Sequence, residues 1–265
     1  MVLHSAGIGG DALIAALGLA IGSFLNVVVY RLPRIVRLKA LGRRPEFSLV
    51  RPRSGCPKCG HDLAAWENVP VLSFVLLGGK CRACGNAISW RYPIIETGTG
   101  FVFLGAYALF GLTALWLWAT VLGALLILWA GLIIEGEGVP LSVQMSFMLA
   151  GVAYSVQSAR GAWPSALACA GLYLLVLAVS RHIARGQAAD SLARGAIWPL
   201  LICAAPWLDL HWIVAVGVFR VALFVLRRLM RGKSEFDLTK VAGTVACVAI
   251  LGCFVAMNVD LRSQF

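Results

Sequence analysis

Residues 11–30 read DALIAALGLAIGSFLNVVVY, and Arg31 follows this run directly. Only Asp11, at its first position, is charged. A transmembrane helix needs about 20 largely apolar residues, so the run is long enough to cross a bilayer. No basic segment precedes it and no small-residue cleavage site ends it, which argues against a removable signal peptide. We therefore predict a retained first membrane span over residues 11–30.

The rest of the chain has the same apolar character. Of its 265 residues, 60% are hydrophobic and 13% are charged, and the mean hydropathy is +0.85. This composition is too apolar for the surface of a soluble domain. Apolar runs bounded by charged or turn residues predict about eight transmembrane helices. They lie approximately at residues 11–30, 97–112, 113–134, 143–159, 163–181, 194–208, 211–226 and 240–259.

Positive charge predicts the orientation of these spans. The segment 31–95 is rich in Lys and Arg and contains only three acidic residues, Glu46, Asp62 and Glu67. Loops of this kind stay in the cytoplasm, and alternation through eight spans places the loops that follow residues 134, 181 and 226 on the same side. The net charge of +11 is explained by this topology, because the basic residues lie beside apolar runs. We therefore expect contact with membrane lipid and no nucleic acid.

Four of the eight cysteines form two Cys-x-x-Cys pairs in this segment, Cys56 with Cys59 and Cys81 with Cys84. Their spacing is typical of two knuckles that supply four thiolates to one tetrahedral zinc ion. A cytosolic location keeps thiols reduced, which favours a metal over two redox pairs, the alternative interpretation. Because four sulfurs leave no open position, the zinc would be structural. The other cysteines lie in apolar runs and are interpreted as packing residues.

Acidic residues beside predicted spans are the second candidate for chemistry, because an ionisable group near a membrane bundle is costly and tends to be functional. Glu135 and Glu137 follow the third span, and Asp190 precedes the sixth. Two carboxylates held close share a proton, so one can act as base toward water and the other as acid toward an amide. This is the chemistry of aspartic proteases. Alternatively, the glutamates face headgroup water and Asp190 caps the helix that begins near Ser191.

Five stretches of the chain resemble, in order and spacing, the N-terminal domain of the type IV prepilin peptidases, which are bifunctional leader peptidases and N-methyltransferases. The resemblance covers roughly residues 15–100. The stretches are GSFLNVVVYRLP at 22–33, CPKCGH at 56–61, WENVPVLS at 66–73, GKCRAC at 79–84 and ISWRYPIIE at 88–96.

The resemblance implies a multi-pass enzyme of the bacterial inner membrane with its zinc domain in the cytoplasm. Such an enzyme cleaves the basic leader of prepilin or pseudopilin substrates after a Gly. Bifunctional members then methylate the new N-terminal amine with S-adenosylmethionine, and Glu67 would either support the loop or contact this cofactor. The expected fold is an all-α polytopic membrane protein with a small zinc-binding loop domain. The expected domains are a first transmembrane helix (1–30), a four-cysteine zinc domain (31–95) and a seven-helix peptidase-like domain (96–265).

The resemblance weakens at the acidic positions. Glu135 stands where the family has an Asp, and Ala188 and Ala189 stand before Asp190 where the family has a Gly-x-Gly-Asp motif. The longer Glu side chain moves the carboxylate by about 1 Å, which can cost about a hundredfold in rate. The alanines lose the freedom of glycine at positive φ. We expect an endopeptidase that uses Glu135 and Asp190; the alternative is an impaired relative that acts as an assembly or binding factor for pilin or secretion proteins. A transporter is disfavoured because internal repeats are not evident.

Overall fold

A computed structural model describes residues 7–135, 138–158 and 238–262, together with the single positions 171, 204 and 207. Within these residues the regular structure is helical, and β pairing is limited to two isolated bridges. The prediction of an all-α fold is confirmed. The helices are α1 (Gly7–Ala40), α2 (Leu72–Leu76), α3 (Arg91–Phe110), α4 (Ala114–Ile134), α5 (Leu141–Gln157) and α6 (Leu238–Arg262), with a 3₁₀ turn at Ala65–Asn68.

Three of the described helices, α1, α3 and α4, are long and apolar enough to cross a membrane. The helix α4 agrees with the predicted span to within one residue, whereas α1 continues ten residues beyond residue 30. The predicted boundary followed the first charge after the apolar run, and charge marks the edge of the bilayer rather than the end of a helix. The predicted spans 163–181, 194–208 and 211–226 lie outside the described residues apart from isolated positions. The count of eight therefore stays a prediction.

The chain divides into two compact units, residues 1–131 and 132–265. In the first unit, α1 and α3 pack antiparallel at very short range. A Cβ on Gly18 would lie 2.9 Å from the Cα of Gly100, and a Cβ on Gly22 would lie 2.7 Å from the Cα of Glu96. Small residues allow this approach of two backbones in a membrane bundle.

The helix α4 packs antiparallel on α3. Gly123 faces Val102, while Gly131 faces both Ile95 of α3 and Val29 of α1. The end of α4 therefore lies beside the first turns of α3, at the end of this unit from which the loop 41–90 emerges.

The guanidinium of Arg31 ties this loop to α1. It donates to the carbonyl oxygens of Ser48 at 2.9 Å, Pro52 at 3.0 Å and Arg53 at 3.3 Å. The charge pattern indicated only that Arg31 contributes to topology. In the structure, Arg31 also binds the start of the cysteine-bearing loop. Because α1 runs on to Ala40 and α3 begins at Arg91, the expected boundaries at 30/31 and 95/96 fall within helices, and the domain division stays a prediction.

In the second unit, aromatic side chains join α5 to α6. The ring of Tyr154 stacks on Trp207 with centroids 5.6 Å apart, and its hydroxyl donates to Asn258 Oδ1 at 3.0 Å. Trp207 also packs against Phe254 and donates from its indole nitrogen to the carbonyl of Phe147 at 3.0 Å. These polar side chains are buried and hydrogen-bonded, as the interior of a helical bundle requires.

Candidate functional site

The four cysteines of the two pairs lie together in one cluster. Their Sγ atoms are all within 4.8 Å of one another. Two of these separations join one pair to the other: Cys56 to Cys84 is 3.9 Å and Cys59 to Cys81 is 4.0 Å. A tetrahedral site with zinc–sulfur bonds of about 2.3 Å places its sulfurs about 3.8 Å apart. The cluster could therefore hold a metal such as zinc, as the spacing predicts.

The first knuckle is closed by its own backbone. The N–H of Cys56 donates to the carbonyl of His61, and the N–H of Gly60 donates back to the carbonyl of Cys56, both at 2.9 Å. Gly60 has a φ of +74°, a conformation that favours glycine. The chain thus turns tightly enough to point both thiols of the pair to one side.

The second knuckle repeats this arrangement. The N–H of Cys81 donates to the carbonyl of Asn86, and that of Gly85 to the carbonyl of Cys81, both at 2.8 Å. Here the Asn86 side chain also donates to Cys84 Sγ at 3.2 Å. The backbone N–H and the side chain of Asn86 lower the pKa of the Cys84 thiol to about 6. This favours the thiolate, which is the form that binds metal.

Glu67 supports the first knuckle through its contacts with Ala64 and His61. Its carboxylate is buried, accepts the N–H of Ala64 at 2.8 Å and lies 3.2 Å from His61 Nε2. The Ala64 N–H, followed by His61 and Arg82, holds the pKa of Glu67 below its usual value. Of the two roles expected for Glu67, these contacts favour support of the loop over contact with a cofactor.

The predicted carboxylate pair falls largely outside the described residues. Glu135 follows α4 directly and is exposed. Glu137 and Asp190 are not among the described positions, so the pairing of Glu135 with Asp190 stays a prediction.

Two buried polar side chains on α1 and α3 received no role from the sequence. Glu96 Oε2 accepts the N–H of Val71 at 2.7 Å, and Asn26 donates from its side chain to the carbonyl of Tyr92 at 3.1 Å. Both are almost fully buried. An ionisable residue inside an apolar run is the signal that could have marked Glu96.

Comparison with known proteins finds a family profile that matches the N-terminal part of the chain. The profile described as Bacterial Peptidase A24 N-terminal domain matches residues 16–110. That range contains most of α1, the four-cysteine cluster and all of α3. No solved structure matches the chain.

Several curated relatives carry the name prepilin leader peptidase/N-methyltransferase. The one from Myxococcus xanthus is 40% identical over 167 residues, which are 63% of this chain and 47% of that protein. The one from Burkholderia pseudomallei strain 1026b is 41% identical over 150 residues, 51% of this chain and 48% of the relative. The one from Pseudomonas aeruginosa is 47% identical over 98 residues, 32% of this chain and 34% of the relative.

The chain spans about half the length of the curated relatives it matches. The profile match at residues 16–110 includes the stretches on which the predicted resemblance was based, with both cysteine pairs. The predicted resemblance is therefore confirmed: residues 16–110 match the Bacterial Peptidase A24 N-terminal domain, and the chain is similar to proteins named prepilin leader peptidase/N-methyltransferase.

Proposed function

We propose that the protein is an aspartic-type membrane endopeptidase that removes the leader of prepilin or pseudopilin substrates at the cytoplasmic face of the bacterial inner membrane. The observation that carries the proposal is the four-thiol cluster between α1 and α3. It lies within the region shared with relatives whose names state this activity.

One zinc ion held by Cys56, Cys59, Cys81 and Cys84 is part of the proposal. Four thiolates would complete its coordination, so the ion would stabilise the loop and take no part in the reaction. The lowered pKa of Cys84 and the two matching knuckle turns support this assignment, because the first favours a thiolate at Cys84 and the turns hold the four sulfur atoms within 4.8 Å of one another.

Peptide cleavage would be carried by Glu135 and Asp190. One carboxylate removes a proton from the attacking water, and the other donates a proton to the nitrogen of the scissile amide. A substrate with a hydrophobic helix in the bilayer and a basic leader in the cytoplasm presents its junction at the membrane surface.

Methylation of the new N-terminus is the second activity that the names of the relatives include. Glu67, the one residue considered for contact with S-adenosylmethionine, is turned inward onto Ala64 and His61. The described residues therefore assign no contact to this cofactor, and we derive no step through it.

A second candidate function is favoured by the sequence around the acidic residues. Glu135 replaces an Asp, and the sequence Gln187-Ala188-Ala189 before Asp190 lacks both glycines of the family motif. These changes favour a family member that binds prepilin-like proteins or assists their assembly without cleaving them.

Cleavage of a prepilin peptide by the purified protein in detergent distinguishes the two candidates. We expect the wild-type protein to trim the peptide, Asp190→Asn to abolish trimming, and Glu46→Gln, a change at an exposed loop carboxylate, to leave it unchanged. Glu135→Asp should raise the rate by up to about a hundredfold if the extra methylene displaces the catalytic carboxylate. A wild-type protein that binds the peptide without ever trimming it would establish the second candidate instead.

A further inference from the structure

The linker between the two knuckles contains an uncharged stretch, VPVLSFVLLGG at residues 69–79. The helix α2 forms its centre. Its side chains Leu72, Val75 and Leu76 are 52%, 66% and 65% exposed. Apolar side chains grouped in this way on a polar loop need a partner to cover them.

A hydrogen bond fixes the position of this stretch along the axes of α1 and α3. The N–H of Val71 donates to Glu96 Oε2, and Glu96 faces Gly22 of α1 at backbone contact distance. Glu96 lies five residues into α3, about 7.5 Å along its axis. Gly22 lies nine residues before Arg31, about 13 Å along α1. On both helices, the level at which Val71 is bonded lies inward of a basic residue, Arg91 at the start of α3 and Arg31 after the apolar run of α1.

We propose that residues 69–79 form a re-entrant segment that dips into the hydrocarbon of the cytoplasmic leaflet and is anchored there by Glu96. The inference rests on the first unit alone and does not depend on the proposed peptidase activity.

Most backbone donors of the segment have hydrogen-bond partners within the protein. Polar backbone groups at membrane depth must be hydrogen-bonded within the protein, because no water is present to replace the bonds. Pro70 has no N–H, and Val71, which adopts a φ of 61°, donates to the Glu96 carboxylate instead of to a carbonyl. Other donors reach backbone carbonyls inside the segment: Leu72 to Pro70, Ser73 to Val69, Val75 to Val71, Leu77 to Ser73, Gly78 to Val75 and Gly79 to Phe74.

Aromatic and basic side chains flank the segment on both sides. Trp90 is exposed and its ring lies 4.9 Å from that of Phe74. The guanidinium of Arg82 lies 5.5 Å from the ring of the exposed Trp66, and Lys80 follows the segment directly. Tryptophan is enriched at the membrane interface, and basic residues attract the anionic headgroups of the cytoplasmic leaflet.

Lipid is favoured over a protein partner because the apolar surface continues onto a membrane span. Ile94, at the start of α3, is exposed, and it follows Trp90 by one helical turn. The exposed face of α2 is thereby continuous with the exposed side of α3, where Ile94 and Phe101 would meet acyl chains.

Depth-dependent quenching tests the proposal on the full-length protein. A fluorescent noncanonical amino acid is placed at Val75 and the protein is reconstituted in nanodiscs of phosphatidylcholine and phosphatidylglycerol brominated midway along their acyl chains. Phe101, 70% exposed on α3, serves as the lipid-facing reference, and Val50, 78% exposed in the loop before the first knuckle, as the reference outside the bilayer. Quenching at position 75 should match that at position 101 and exceed that at position 50 severalfold.

Two results would overturn the inference. Quenching at position 75 as weak as at position 50 would place the segment in water. The same weak quenching, together with a shift in the emission of the probe when a prepilin peptide is added, would identify the surface as a docking face for substrate.

The anchor is tested with the same probe. Glu96→Ala removes the acceptor of the Val71 N–H and should reduce quenching at position 75 while leaving quenching at position 101 unchanged. Glu96→Gln keeps an acceptor oxygen and should retain the quenching at position 75. Unchanged quenching at position 75 in Glu96→Ala would refute Glu96 as the anchor.

Discussion

His61 and Asn86 occupy equivalent positions in the two knuckles, yet their side chains act differently. Both offer a backbone carbonyl to the first cysteine of their pair. The Asn86 side chain donates to a cysteine sulfur, whereas the His61 ring pairs with the buried carboxylate of Glu67. The Asn86 side chain thus lowers the pKa of the Cys84 thiol. The His61 side chain connects its knuckle to Glu67 in the linker between the knuckles. The knuckles are alike in backbone and different in their attachments.

At this scale we predict that a single cysteine decides metal binding. Replacing Cys81, the most buried thiol of the cluster, with Ser leaves three thiols and a hydroxyl that is a far weaker zinc ligand. Structural four-sulfur sites bind zinc with about 10 to 16 kcal/mol of apparent free energy, so the loss should be nearly complete. Metal analysis of purified protein should find one zinc per chain in the wild type and far less in Cys81→Ser.

The control is Cys247→Ser, because Cys247 is buried in α6 outside the cluster. It should keep one zinc per chain. Full zinc content in Cys81→Ser would refute the proposed coordination.

The cysteine cluster could be predicted from the sequence because its geometry is local: two residues between cysteines and a following glycine define each knuckle. Glu96 could not be assigned in this way. Its partner Val71 is 25 positions away, and only the folded packing of α1 on α3 brings them together. The apolar pattern of a span shows that an acidic residue beside it is unusual. The pattern does not show what that residue binds.

The contact between α1 and α3 depends on glycine. Gly18 and Gly22 are separated by three residues, the spacing that brings small side chains to one face of a membrane helix. This signal was present in the sequence, and the predicted span treated both glycines only as members of an apolar run. Hydropathy measures how long a span is, whereas close packing depends on which residues are small.

We therefore expect Gly22→Ala to destabilise the protein. The added Cβ would meet the Cα of Glu96 at 2.7 Å, and backbone cannot move aside as a flexible side chain can. Overpacking of this kind costs about 1 to 3 kcal/mol. The measurement is the midpoint of thermal unfolding in detergent.

Gly105→Ala provides the matched control within α3, because a Cβ at Gly105 meets nothing within 4 Å. Alanine favours helix over glycine by up to about 1 kcal/mol, so this variant should be neutral or more stable. Equal loss of stability in both variants would show that close packing at Gly22 is not the cause.

For the whole molecule, the antiparallel order of α1, α3 and α4 fixes which loops share a side of the bilayer. The loop 41–90 emerges at one end of this bundle, and the turn 111–113 connects α3 to α4 at the other. The positive charges of the first loop predict that it lies in the cytoplasm. The resemblance and the helical fold were predictable because their signals are local or compositional. Whether Glu135 meets Asp190 would depend on contacts distant in sequence, so this pairing stays a prediction.

Protease accessibility tests this orientation. A cleavage site inserted after Gly42, in the turn that follows α1, should be cut in inside-out membrane vesicles and protected in spheroplasts. The same site inserted after Leu112 should behave in the opposite way. Exchange of the two patterns would place the cysteine loop outside the cell and would remove the basis for cleavage at the cytoplasmic face.

The two knuckles also determine how the protein would respond to zinc scarcity. In the proposed site, each knuckle would supply two of the four zinc ligands, so neither knuckle could retain the ion by itself. The linker between the knuckles would then be held at both ends or at neither end. A partial supply of metal would then yield two populations of molecules rather than one population of half-ordered molecules. The amount of working protein in a cell would rise and fall with zinc availability, while the properties of each metal-loaded copy would stay constant.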